Sequence, residues 1–128
     1  MRKAAIVKLS GDLHVGRKDV QKWLRKIAKK HHVILCTGGG SQISEAFKAK
    51  GFPINFGPLG RETETFEQRQ LARDLLEQNR DDAQDLLDRK GIRVQCVIPV
   101  LEIGSVLCHV NGDVFVLAAY LSVKKVYV

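Results

Sequence analysis

Three short residue groups hold the side chains of this 128-residue chain that are best suited to chemistry: Lys8-Leu9-Ser10-Gly11, Gly38-Gly39-Gly40 and Asn111-Gly112-Asp113. Each follows an apolar run that reads as a buried strand. Together they supply what a phosphate group needs. Lys8 offers a cation, the glycines offer backbone N–H groups that no Cβ shields, and Asp113 offers a carboxylate to orient the cation. A glycine run alone is weak evidence. Lysine–glycine, triple glycine and Gly-Asp in this order point together to a phosphoryl-transfer site, with Lys8 and Asp113 as its catalytic pair and Ser10, Gly11, Gly38, Gly39 and Gly40 around the phosphate.

Each residue also has a plainer reading. Lys8 interrupts a buried run, which is costly unless its ammonium reaches an anion or water. It either neutralises a phosphoryl group in transfer or snorkels from a sheet edge. The glycine triplet either cradles phosphate before a helix N-terminus or makes a flexible turn. Asp113 either orients the lysine or complements a helix dipole. His109 either lines the same pocket or is a satisfied sheet histidine. Arg61 follows the Gly/Pro-rich segment 51–60. Its planar fork either clamps an anionic acceptor or pairs at the surface with Glu62 or Glu64.

The elements that must position these residues are legible in the apolar pattern. Ala4–Val7 and Val33–Cys36 are too short for helices and read as buried strands. Between them, Val20, Trp23, Leu24 and Ile27 recur at helical spacing over residues 17–30, with a basic last turn that suits the dipole. Ser41 is a candidate cap for a helix through Phe47. Segment 51–60 reads as loop. Thr63 or Thr65 caps a long charged helix, with Leu71, Leu75, Leu76, Leu86 and Leu87 as its stripe and Gly91 as its stop. Val94–Val100 is strand-like, ended or bent at Pro99, and Val106–Val110 is another strand. Val114–Leu121 suits a helix, and Val126–Val128 a final strand. Strands alternating with helices predict an α/β protein, an αβα sandwich with a mostly parallel sheet. All three motifs would then lie at the C-terminal ends of strands, where such sheets bind ligands.

The length is that of a single domain, 1–128. Cys36, Cys96 and Cys108 all lie in apolar runs, which argues for reduced, buried thiols and a cytoplasmic location. No CxxC or His/Cys cluster suggests zinc, and the adjacent His31-His32 is poor ligand geometry. No apolar stretch approaches the roughly 20 residues of a membrane span. Lys8 and Asp12 interrupt any signal-peptide core. The net charge is +7, unevenly placed. Residues 1–50 carry twelve Lys/Arg against three acids, whereas residues 62–90 hold nine of the fourteen acids. The basic half either attracts an anion or presents the solvated face of one helix. Aromatic residues make up 6% of the chain and are not interleaved with basic ones, which argues against a nucleic-acid binder.

Lys8-Leu9-Ser10-Gly11, the glycine triplet and Val110-Asn111-Gly112-Asp113, followed by an Ala-containing helix and Lys125-Val126-Tyr127-Val128, resemble the amino acid kinase superfamily. That superfamily includes acetylglutamate kinase, aspartokinase, carbamate kinase, isopentenyl phosphate kinase and bacterial UMP kinase. The resemblance covers nearly the whole chain and matches the acceptor-binding part of the family fold. It implies that Lys8 stabilises the transferring phosphoryl group, that Gly11 and the triplet hydrogen-bond it, and that Asp113 holds the lysine. It also implies an acceptor site with Arg61, whose Gly60-Arg61-Glu62-Thr63 context is similar to acetylglutamate kinase, and with His109 and Asn111. Lys-Leu-Ser-Gly-Asp is closer to the UMP kinase form. Thr37-Gly-Gly-Gly-Ser also resembles the start of a short-chain dehydrogenase fingerprint, but Gln42-Ile43-Ser44 stands where that pattern needs Gly-Ile-Gly. No Gly-Lys-Ser/Thr follows, so the run is not a P-loop.

The expected function is transfer of the ATP γ-phosphoryl group, with Mg²⁺, to a carboxylate or phosphate of a small anionic metabolite. The family's ATP-binding half would lie beyond Val128. The chain is therefore expected to be an acceptor half, inactive by itself, that belongs to a longer fold or a homo-oligomer. The alternative is a non-catalytic small-anion-binding or regulatory module.

Overall fold

The computed structural model of the chain describes residues 2–9, 13–58, 60–103, 106–109, 111–118, 123 and 125–128, but not the side chains of 101–103 and 106–109. In chain order the elements are β1 (Lys3–Lys8), α1 (Lys18–Ala28), β2 (His31–Cys36), α2 (Gly40–Ala49), β3 (Asn55–Gly57), β4 (Gly60–Glu62), α3 (Phe66–Arg89), β5 (Val94–Val97), β6 (Val100–Ile103), β7 (Val106–His109), α4 (Gly112–Ala118) and β8 (Lys125–Tyr127). Four strands form one sheet in the order β5-β2-β1-β8. Every pairing in it is parallel. Two antiparallel hairpins, β3-β4 and β6-β7, stand apart from it.

Strand alternation decides what covers each face of the sheet. Val7, Val33, Leu35, Val94 and Cys96 point to one side, against Val20, Leu24 and Ile27 of α1 and Ala83 and Leu87 of α3. Ile6 and Cys36 point to the other, against Val116 of α4. Helices therefore cover both faces, as an α/β sheet requires. A further cluster of Ile43, Phe47, Ala72 and Leu76 joins α2 to the first half of α3. Leu24, Val33, Phe47, Leu87 and Val116 are fully buried, and each such side chain contributes about 1.5–3 kcal/mol of transfer free energy.

The helix ends explain where the chain turns. Thr65 caps α3, its side chain accepting from Gln68 N, and the buried Gln68 returns the bond by accepting from Glu64 N at 2.8 Å. Gly91 ends α3 at φ 69°. Ile92 N donates to Leu87 O at 2.9 Å and Gly91 N to Asp88 O at 3.0 Å, the paired bonds of a Schellman stop. Gly51 and Phe52 close α2 in the same way onto Lys48 O and Phe47 O, and Phe52 packs edge-on against Phe47.

Several expectations are corrected. Segment 51–60 is not all loop, because β3 pairs with β4, with Phe56 opposite Arg61 and Gly57 opposite Gly60. Strands of three residues among glycines and prolines leave no periodic trace. The run 94–100 does break at Pro99, as expected, and the break separates β5 from β6. Pro99 has no N–H for a ladder, and Val100 N turns back to Ile98 O at 2.9 Å, so β6 leaves the parallel sheet and pairs with β7. Ser41 does not cap α2. The capping position is Gly39, which has no side-chain oxygen to offer, and Ser41 lies within the first turn. Finally, α4 begins at Gly112 rather than Val114.

At the β5 edge, Gln84 of α3 takes the strand's outward groups. Its Nε2 donates to Val94 O and its Oε1 accepts from Cys96 N, both at 2.8 Å.

Candidate functional site

Lys8 is the last residue of β1, and strand alternation turns its side chain to the α4 face beside Ile6. Asn111 Oδ1 accepts from Asp113 N at 3.1 Å and Val114 N at 3.2 Å, so it caps α4 and fixes its first turn. The cap brings Asp113 to Lys8, whose Nζ lies 2.8 Å from Asp113 Oδ1. The lysine side chain is 17% exposed, and Asp113 Oδ1 is itself buried. Gly112 leaves room for this close approach, since a methyl group there would come 2.6 Å from Lys8 Cε and the lysine side chain would have to shift. The third motif thus reaches the site indirectly. It follows a strand of the β6-β7 hairpin, not of the parallel sheet, and the packing of α4 on Ile6 and Cys36 returns it to the end of β1.

The glycine triplet leaves β2 beside this pair. Thr37 N continues the ladder to Val97 O at 3.0 Å, and Asn79 of α3 donates to Gly38 O at 3.0 Å. A side chain at Gly39 would strike that amide, its Cβ lying 2.6 Å from Asn79 Nδ2. Gly38 and Gly40 differ. A Cβ at either meets nothing within 4 Å, and neither has a positive φ. Among the described residues, nothing requires glycine at those two positions. Among the described residues, no side chain caps the first turn of α2, so its N–H groups stand at the positive end of the helix. A cleft of about 740 Å³ has Lys8, Thr37, all three glycines, His14, Asn79 and Asp82 in its lining.

Arg61 stands elsewhere. Its Nη2 donates at 2.8 Å to both Gly40 O and Ser44 Oγ. Its guanidinium lies 4.8 Å from the Phe56 ring centre and 5.6 Å from that of Phe47. Burial lowers its pKa. Gly60, at φ 104°, abuts Asn111, so the β3-β4 hairpin also touches the capped turn. Ser10 and Gly11 lie outside the described residues. His109 pairs with Val100 through the backbone, and its side chain is not described.

Cys36 lies beneath the ion pair, 2% exposed. Burial pushes its pKa up to about 11; the Lys8 charge opposes that rise and the Asp113 charge adds to it. Burial raises Cys96 to about 11 as well. Both thiols are free. Sequence reasoning missed Asn79, His14 and Asp82 at the cleft, since polar residues on a charged helix or in a loop carry no periodic signal. Chemically, the arrangement can neutralise an anion at Lys8 and meet its oxygens with unshielded N–H groups.

Among the described residues, no helix is long and apolar enough to cross a membrane. No protein-family model matches the chain, and no curated protein matches it significantly.

Proposed function

We propose that this chain is the acceptor side of an ATP-dependent phosphotransferase of the amino acid kinase type, acting on a carboxylate or phosphate oxygen of a small anionic metabolite. One observation carries the reading. Lys8, whose ammonium Asp113 holds at the end of β1, lines the same cleft as a glycine turn in which, among the described residues, nothing steric or torsional calls for glycine at Gly38 and Gly40. Close approach of a ligand's oxygens supplies a reason. The parallel sheet with helices on both faces is compatible with the αβα sandwich of that superfamily.

In this reading Lys8 neutralises charge on the transferring phosphoryl group, and N–H groups of the glycine turn bind its oxygens. Asp113 keeps the ammonium in place. Mg²⁺ travels with the nucleotide phosphates. Among the described residues, no group of three His, Cys, Asp or Glu is placed to hold it independently.

Calorimetry with Mg-ATP, inorganic phosphate and a panel of phosphorylated and carboxylated metabolites tests the reading, paired with an assay for ADP release. Anion binding that is lost in Lys8→Ala, together with turnover, supports the phosphotransferase. Metabolite binding with neither ATP affinity nor turnover supports a small-anion-binding module instead. Absence of any Lys8-dependent anion binding overturns both.

A further inference from the structure

We propose that the end of the molecule opposite the cleft is a sequence-independent binding face for the phosphate backbone of double-stranded DNA. All four strands of the parallel sheet begin at that end. The helices α1 and α3 finish there, since each leads straight into the start of β2 or β5. The strand starts are basic. Lys3 opens β1 in register with His31, Arg93 immediately precedes β5, and Lys125 opens β8. Arg2 precedes β1, and the helix ends add Lys29, Lys30, Arg89 and Lys90. These eight Lys and Arg are all exposed, and segments 2–3, 29–32, 89–93 and 125 contain no Asp or Glu. Asp88, the nearest acid in sequence, accepts from Gln84 Nε2 at 3.0 Å. The rest of the chain has thirteen Lys and Arg against fourteen acids, so the whole net charge of +7 belongs to this end. Lys8 stands at the other end of β1, roughly 17 Å along the strand. The face is therefore separate from the cleft and does not rest on the phosphotransfer reading.

Cations also complement the negative ends of helices. That accounts for Lys29, Lys30, Arg89 and Lys90, but not for Lys3, Arg93 and Lys125 at strand starts. The helix-end carbonyls are moreover already met: Arg2 Nη1 donates to Ala28 O and Arg25 Nη2 to Lys90 O, both at 2.9 Å. The printed ion pairs of the described residues lie elsewhere, at Lys8, Arg17, Lys50, Arg73 and Arg80. So dense a set of like charges repels itself, and a polyanion relieves that repulsion. No large hydrophobic side chain is exposed in these segments. That disfavours a membrane, where basic residues without an apolar or lipid anchor hold only marginally. It also disfavours a single strand, whose bases stack on aromatic platforms. The scarcity of aromatic residues bears on that mode and not on a duplex. Duplex DNA carries one negative charge per about 1.7 Å of axis, and neutralising its phosphates is enough for sequence-independent binding. Lys and Arg supply donors only, which suit phosphate oxygens. A 2′-hydroxyl, which offers a proton as well as accepting one, gains less, so the occupant is DNA rather than duplex RNA.

The test is fluorescence anisotropy with labelled DNA duplexes of about 20 base pairs. Wild type is expected to bind two unrelated sequences equally, with Kd of roughly 1–100 μM near physiological salt and a slope of log affinity against log salt of about −4. Lys30→Glu/Arg93→Glu should weaken binding at least about tenfold and flatten the slope by about two. Lys3→Glu/Lys125→Glu should do the same, and either pair suffices if the other fails to fold by circular dichroism. Lys18→Glu/Lys22→Glu makes the same change in net charge in the first half of α1 and should cost less than about threefold, because salt screens charges remote from the duplex. Absence of duplex binding by wild type, or an equal loss from the Lys18/Lys22 pair, overturns the proposal. So does tighter binding to duplex RNA, or to vesicles of equal phosphatidylserine and phosphatidylcholine, than to DNA.

Discussion

Lys8 and Arg61 are the two cations singled out by the sequence, and the fold treats them oppositely. Lys8 lies across the start of α4, paired with a carboxylate, and lines a cleft. Arg61 is wedged between Phe47 and Phe56 and donates to Gly40 O and Ser44 Oγ. Among the described residues no carboxylate pairs with it. An ammonium held by an acid at a cleft mouth can exchange part of that partnership for a ligand anion. A guanidinium that donates to a helix's first carbonyl and packs on two rings is already engaged in joining the β3-β4 hairpin to α2. Charge at a site therefore differs from charge in a seam, even where both look alike in sequence.

The largest expected effect tests that contrast directly. Lys8→Ala should weaken phosphate-anion binding roughly 10- to 100-fold, the loss of one charge-assisted hydrogen bond. Arg61→Ala should leave it within about threefold. Calorimetry on both variants decides; equal losses would erase the distinction and return Arg61 to the acceptor role that the family resemblance implies. Next, Arg61→Ala should lower unfolding free energy by about 2 kcal/mol through lost ring contacts and hydrogen bonds. Lys8→Ala should cost about 1 kcal/mol, because it strands a buried oxygen of Asp113. Urea denaturation ranks the two.

Cys36 sharpens the comparison as a reporter that, among the described residues, feels Lys8 and not Arg61. Its folded pKa, about 11, lies above the ordinary value of 9.0. The folded state thus favours the neutral thiol. That stabilisation, about 3 kcal/mol, is complete below pH 9 and is lost as pH rises through 11. Carbon-13 titration of the Cys36 Cβ should move further up in Lys8→Ala, down in Asp113→Asn, and not at all in Arg61→Ala. The smallest effect on stability belongs to Gly38→Ala and Gly40→Ala. Each should be neutral or stabilising by up to about 1 kcal/mol, since a Cβ fits and the unfolded chain loses freedom. Anion binding should nonetheless fall. Unchanged binding in both variants would remove the ligand-based reason for those glycines.

Much of the scaffold was legible because burial imposes periodicity. β1 and β2 are uninterrupted apolar runs, α1 repeats Val20, Leu24 and Ile27, and α3 ends where Gly91 allows a positive φ. The β3-β4 hairpin was not legible, since turn residues outnumber its strand residues. The departure of β6 from the sheet depends on one missing N–H at Pro99. Lys8, the glycine triplet and Asp113 were recognisable by type. Their meeting depends on α4 doubling back, which no local pattern encodes. Asn111 illustrates the limit. It is conspicuous beside Gly112-Asp113, yet its side-chain oxygen is engaged in capping a helix.

Gln84 has a consequence for how the sheet can grow. Its carboxamide meets Val94 and Cys96 as the peptide group of a neighbouring strand would, donating to one and accepting from the other. A side chain thus impersonates a single residue of β-strand, and an incoming strand finds that place taken. The sheet has a finished margin at β5, so strand addition is steered away from it, and Gln84→Ala should turn a quiet edge into an adhesive one.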